Sequence, residues 1–375
     1  MARRLRLGMV GGGIGGFFGA AHRIAARIDD RFELVAAALS SSPERAKESA
    51  AQVNIASYRS YVDFEEMAQQ EAARSDGIEA VGIVLPNHLH YSAARAFVEA
   101  GIHVMCEKPL ATSLADAEAL ATLVAKQSVV FAVAYTNAGF AMVREARRLV
   151  KAGAIGKVRV VQVEFPQEWL ASDVESTGNK QATWRTDPLR SGRAGSLGDI
   201  GTHAFHLAEY VSGQHVESVA AQLSTFVNGR RVDDDVQMLL QFEDGAKGML
   251  WASQVAIGHS NGLALRVYGD EGSLSWSVVE PNLLKLARPG EVRIIERGSA
   301  STATPVRLPP GHPEGFLEAL AQLYADFADA ISAYKKGTPQ SASFLPGIAD
   351  GVRGMRFIEA ALKSTAANAS MQKLD

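Results

Sequence analysis

Apolar residues in the first third of the chain fall in short continuous runs, at residues 5–10, 32–39, 80–85, 103–106 and 129–133. Between them, stretches near 14–28, 63–73, 91–100 and 114–126 carry apolar residues at helical spacing. Strands buried on both faces read as unbroken apolar runs, and their alternation with helices predicts a doubly wound parallel sheet. Past Val133 the pattern changes. After a helix over 140–152, apolar and polar residues alternate near 157–165, 216–227, 236–242, 246–255, 263–268 and 273–277. Asp244-Gly245 and Asp270-Glu271-Gly272 supply turn residues between neighbouring segments, which predicts a largely antiparallel sheet. Helices near 314–334 and 348–363 close the chain.

The chain has 375 residues, more than one hydrophobic core usually serves, so two domains are expected. The division predicted is residues 1–136, an α/β domain with the parallel sheet, and 137–375, an α+β domain with the largely antiparallel sheet. With 38 basic and 41 acidic residues the formal net charge is -3, which speaks against a nucleic-acid binder. The arginine pairs 3-4, 147-148 and 230-231 are expected to be solvated. The single cysteine, Cys106, excludes an intrachain disulfide framework and suits a reducing compartment. No apolar stretch reaches the length of a membrane span, and no membrane partner is expected. The glycines after the first apolar run have a better use than in a signal peptide, so a cytoplasmic location is expected.

Three stretches carry candidate chemistry. Gly11, Gly13 and Gly16 have the G-x-G-x-x-G spacing, directly after the first strand and opening a helix with Ile14. There the first glycine permits the turn, the second lets a pyrophosphate approach the backbone, and the third permits close packing of helix on strand. The helix N-terminus adds N–H donors for the phosphates. An acid after the second strand would bind the ribose hydroxyl of NAD. Here Ser40 stands in its place with Arg45 nearby, so NAD and NADP both remain open. In open parallel sheets ligands sit beyond the carboxyl ends of strands, which marks Pro86 and Asn87, and then Glu107-Lys108-Pro109. Lys108 can hydrogen-bond a substrate oxygen and favour its deprotonated form. The third stretch is Gly195–Gly201 with Thr202 and His203. Its Asp199 and His203 lie four apart, one helical turn, and suit proton transfer. His206 follows, but no further ligand accompanies it and no metal is expected.

Together, Gly11-Gly12-Gly13-Ile14-Gly15, Glu107-Lys108-Pro109 and Gly198-Asp199-Ile200-Gly201-Thr202-His203 resemble the glucose-fructose oxidoreductase / inositol dehydrogenase / rhizopine catabolism (Gfo/Idh/MocA) family over nearly the whole chain. The resemblance implies a Rossmann domain followed by an open sheet, with Lys108, Asp199 and His203 as the catalytic set and a cis bond at Pro109. The stretches 181–188 and 312–316 resemble a branch acting on sugars, anhydrosugars or cyclitols, with levoglucosan and inositol dehydrogenases as the nearest activities. A nicotinamide-dependent dehydrogenase is the expected function. Two alternatives stand beside it: a glycosidase that uses NAD transiently, and a nicotinamide-binding regulator.

The long stretch 167–197 has little periodicity and holds Trp169, Trp184 and Arg185. A substrate-covering loop is expected, with Trp184 stacking on a sugar ring and Arg185 bonding its hydroxyls. Tyr135 and Asn137 are expected to line the same cleft, and 297–304 to be a flexible loop. Met249, Leu250 and Trp251 on an uncovered sheet face predict a homo-oligomer, a dimer or tetramer.

Overall fold

The computed structural model describes residues 3–338 and 344–374. In chain order its elements are β1 (Leu5–Gly11), α1 (Phe17–Ile28), β2 (Phe32–Ala38), α2 (Pro43–Gln52), α3 (Phe64–Ala73), β3 (Ala80–Val84), α4 (His90–Glu99), β4 (His103–Cys106), α5 (Leu114–Gln127), β5 (Phe131–Val133), α6 (Ala141–Lys151), β6 (Val158–Pro166), α7 (Lys180–Arg185), α8 (Pro188–Ser191), α9 (Thr202–Ser212), β7 (Val216–Ser224), β8 (Asp235–Phe242), β9 (Lys247–Ser253), β10 (Ala264–Gly269), β11 (Ser273–Ser277), β12 (Leu283–Arg288), β13 (Glu291–Glu296), α10 (Phe316–Lys335), α11 (Ile348–Ala366) and β14 (Gln372–Lys373). Two compact units result, Met1–Gly139 with Phe316–Val352, and Phe140–Gly315 with Arg353–Asp375. The division therefore differs from 1–136 and 137–375 chiefly in that α10 returns to the first unit.

The reason for that return lies in packing. Tyr324 and Phe327 of α10 are fully buried and meet Phe32 of β2 with ring centroids 5.6 and 6.0 Å apart. A helix's own periodicity says which face is apolar but not which sheet that face will cover.

The first unit holds the predicted parallel sheet, in the order β2-β1-β3-β4-β5. Its strands are apolar on both faces, and β4 is buried at every position. Strand order reverses between β1 and β3, so the crevice for a ligand opens beyond Gly11 and Val84.

The second unit holds nine strands, β13-β12-β11-β10-β6-β9-β8-β7-β14, antiparallel except for the β6/β9 pair. One face is covered by α6 and α9. Alternation along β9 sends Leu250 into the core at 1 % exposure and Met249 outward at 45 %. Leu250 is thus corrected from the open face to the buried one, while Met249 and the half-buried Trp251 stay open.

Two further expectations change, and one hairpin was not foreseen. Arg230 is not solvated: its buried guanidinium is held by Glu175, Asp234 and the carbonyls of Leu170 and Ser172. The segment after β13 is tied down at both ends, since Arg297 is buried against Glu314 and Asn282, and Thr304 donates to Glu145. The β12/β13 hairpin was missed because β13 is exposed at five of its six positions, which leaves almost no alternation to read.

Candidate active site

The dinucleotide end of the first unit is shaped by missing side chains. Gly11 has φ +79° and a Cβ there would lie 2.3 Å from the Val84 carbonyl oxygen. At Gly12, φ +67°, a Cβ would lie 2.5 Å from Gly19 Cα, so it is Gly12 and Gly19 that bring α1 against the turn. The third motif glycine, Gly16, is the N-cap of α1, and no side chain caps that end. The positive end of the helix dipole lies beside a cavity of about 390 Å³ lined by Gly13, Ile14, Gly15, Gly16 and Arg23. A phosphate group fits such a cradle. Ile14 N–H donates to Ser49 Oγ at 3.2 Å, and Arg23 donates to the Gly12 carbonyl at 2.7 Å, which fix the turn from behind.

After β2, the half-buried Ser40 accepts from Ser42 N–H at 3.2 Å, and exposed Glu44 accepts from Ser42 Oγ at 2.9 Å. Arg45 is exposed on the first turn of α2. At the β3 end Pro86 is half-buried and Asn87 buried.

Glu107, Lys108 and Pro109 follow β4, and the Lys108-Pro109 bond is cis. Glu107 accepts from Lys108 N–H at 3.1 Å and lies 2.9 Å from His22 Nε2. His22 is fully buried and its Nδ1 lies 2.8 Å from the Tyr324 hydroxyl. On the other side, buried His90 has Nδ1 2.7 Å from the Pro109 carbonyl and Nε2 2.8 Å from that of Leu85. Both partners are acceptors, so gripping both takes a doubly protonated ring, and burial pushes the His90 pKa down against that pull. Burial likewise pushes the Cys106 thiol up, which makes it inert packing. Tyr135 and Asn137 are buried as well.

In the second unit the expected single α-helix through Asp199 and His203 is two helices. Leu197–Gly201 is a π-turn, closed by Thr202 N–H to the Leu197 carbonyl, and α9 follows. Widened turns of this kind recur at functional sites. Between Ala194 and Ala208 every residue is buried except Asp199 and His203, so both occupy the one open face of the segment. Asp199 Oδ2 accepts from Gln254 Nε2 at 2.9 Å and from Arg185 Nε at 3.2 Å. His203 meets Phe165 edge-on at 6.3 Å.

Arg185 lies at the end of α7, its guanidinium 4.2 Å from the centre of the Trp184 ring and 5.8 Å from that of Trp169. It also donates to Gln181 Oε1 at 2.6 Å. The stretch expected to be irregular is thus partly helical, with Asn179 and Asp187 capping α7 and α8. The π-turn is anchored by Asp233, whose two carboxylate oxygens accept from Gly195 and Leu197 N–H, each at 2.7 Å. Burial pushes the Asp233 carboxyl up to about 6 despite those bonds.

Sequence reading missed Gln254, Asp233, His22 and His90 as parts of these assemblies. Three sit in core or strand-end positions where composition carries no signal. Only Asp233, within Asp233-Asp234-Asp235, offered one: a run of acids between strands.

A glycine-rich turn that opens a helix on a parallel sheet, followed by an open-sheet unit presenting an aspartate and a histidine, is the arrangement of a two-domain dinucleotide-dependent oxidoreductase. Residues 5–135 match the family model described as an oxidoreductase family with an NAD-binding Rossmann fold, and residues 143–275 match the GFO/IDH/MocA C-terminal domain. The chain belongs to the Gfo/Idh/MocA family and is an NAD-binding oxidoreductase. It is 29% identical to levoglucosan dehydrogenase of Pseudarthrobacter phenanthrenivorans, over 97% of each chain. Among solved structures, an inositol dehydrogenase homolog from Azotobacter vinelandii complexed with NAD+ is 35% identical, with a TM-score of 0.94 over 100% of this chain and 98% of that one. An oxidoreductase from Sinorhizobium meliloti is 45% identical, with a TM-score of 0.89 over 99% of this chain and 100% of that one.

Proposed function

We propose that the protein oxidises a secondary alcohol of a sugar, anhydrosugar or cyclitol, with Lys108, Asp199 and His203 as its catalytic set. The observation that carries this reading is the isolation of Asp199 and His203 as the two accessible side chains of an otherwise buried π-turn and helix. Relatives named for levoglucosan and inositol support the substrate class. When bound, NAD supplies the hydride acceptor. His203 takes the hydroxyl proton, since an imidazole titrates near neutral pH. Asp199, held by Arg185 and Gln254, orients His203 or a substrate hydroxyl. Lys108 hydrogen-bonds the developing alkoxide and stabilises its charge. Trp169, Trp184 and Arg185 form the polar-aromatic surface on which a polyol rests.

The test is a panel of levoglucosan, myo-inositol and scyllo-inositol, and of aryl glycosides, with NAD+ and NADP+, followed at the nicotinamide absorbance. Reduced nicotinamide forming in step with product is expected. Release of an aglycone without net reduction would establish the glycosidase instead, and binding of NAD without any turnover the regulator.

The open face of the nine-stranded sheet supports a homo-oligomer. It carries a cavity of about 610 Å³ among Leu239, Met249, Trp251, Gln237 and Glu164. No helix among the described residues is long and apolar enough to cross a membrane, and the single buried cysteine supports a reducing, cytoplasmic setting.

A further inference from the structure

We propose that Lys108 is positioned by two buried histidines acting on its two neighbours, His22 through the Glu107 carboxylate and His90 through the Pro109 carbonyl. This rests on the assignment of Lys108 above. A lysine ammonium sits at the end of four rotatable bonds, so where it dwells depends on how firmly the backbone beneath it is held. That backbone leaves the sheet at Cys106, and the last strand-like bond is Glu107 N–H to the Ile83 carbonyl, at 3.0 Å. Beyond it, the loop has His22 on one flank and His90 on the other.

The first arm is a chain of three buried or half-buried groups. Tyr324, 1 % exposed, reaches His22 Nδ1; His22, 0 % exposed, reaches Glu107 Oε1; Glu107 Oε2 accepts the Lys108 N–H. If the phenol donates to Nδ1, the remaining N–H of a neutral ring is on Nε2 and points at the carboxylate, which satisfies all three groups. The second arm is His90, 0 % exposed, with Nδ1 facing the Pro109 carbonyl and Nε2 facing that of Leu85; a neutral ring carries one N–H, and the arm is the tautomer that places it on Nδ1, towards Pro109. It ties the catalytic loop to the β3 end, beside Pro86 and Asn87. Imidazole suits both tasks because it is rigid and presents two nitrogens on opposite edges.

That geometry supplies a paired test. Asparagine places its amide nitrogen where Nδ1 was, and glutamine where Nε2 was, and neither spans both partners. His22→Gln and His90→Asn keep the bond towards Lys108. His22→Asn and His90→Gln place the amide nitrogen at the other edge, towards Tyr324 and Leu85, and lose that bond. With purified protein, saturating NAD+ and the panel substrate turned over fastest, the first two are expected within about threefold of wild-type kcat. The second two should fall by about 10- to 100-fold, the scale of a displacement near 1 Å. The Kd for NADH, read by its fluorescence, should change little in all four. Tyr324→Phe, a smaller perturbation, should give an intermediate loss. A turnover-independent readout is the acetylation rate of Lys108 followed by peptide mass spectrometry, which should differ between the members of each pair.

Equal kcat and equal Lys108 reactivity within each pair, with losses confined to Tm, would overturn the proposal and leave the histidines as core residues. Lys108→Met separates the two claims. Retained turnover in that variant removes the catalytic role, while the acetylation pattern still reports whether the histidines position the side chain.

Discussion

At the residue scale the site depends on which hydrogen bonds a side chain has already committed. Asp199 receives two donors on one oxygen, from Gln254 and Arg185, so its carboxylate is held in one orientation before any substrate arrives. Gln254, just past the end of β9, is 2 % exposed and bears no chemistry of its own. Gln254→Leu keeps much of its bulk and removes the donor. Turnover is expected to fall about 10-fold with the Tm within a few degrees of wild type. Steady-state kinetics beside a thermal melt would check this, and unchanged kcat would mean that Arg185 alone suffices.

The elements that carry the site are held by groups remote in sequence. Asp233 lies between β7 and β8, yet its carboxylate starts the π-turn before α9. Its pKa rises from 3.8 to about 6 on folding, chiefly through burial. An acid raised in the native state binds a proton there that the unfolded chain has already released. Stability therefore falls as pH rises from about 4 to about 6, by roughly 3 kcal/mol for a shift of about two pH units. Asp233→Asn cannot titrate. Urea unfolding at pH 4, 5, 6 and 7 should show the stability of the variant gaining on that of the wild type by about this amount across the window. A constant gap would exclude Asp233 as the source.

At the scale of the whole molecule the open sheet face is the surface proposed for association. Leu239 is 57 % and Met249 45 % exposed on adjacent strands, among Gln237, Gln222 and the Glu164–Arg266 pair. A mixed apolar and polar surface of this kind suits a second copy of the chain. The double variant Leu239→Glu, Met249→Glu places like charges at its centre. Light scattering at micromolar concentration should show the wild type as an oligomer and the variant shifted towards monomer, with the far-UV spectrum retained. A wild type that elutes as a monomer would refute the assembly.

Sequence by itself determined the two sheets, the glycine-rich turn, the Lys108 loop and the Asp199 with His203 pair. Each of these depends on local rules: apolar runs against alternation, a turn that needs φ above zero, and residues four apart on one helix face. Only the tertiary structure decided the rest. It returned α10 to the first unit, because packing partners are chosen by shape and not by periodicity. It turned Arg230 from a solvated pair member into a buried clamp and made a π-turn of the expected helix start. It also placed His22, His90, Gln254 and Asp233 behind the candidate catalytic residues. Buried polar groups must find partners wherever the fold brings them, and no spacing along the chain records which ones they find.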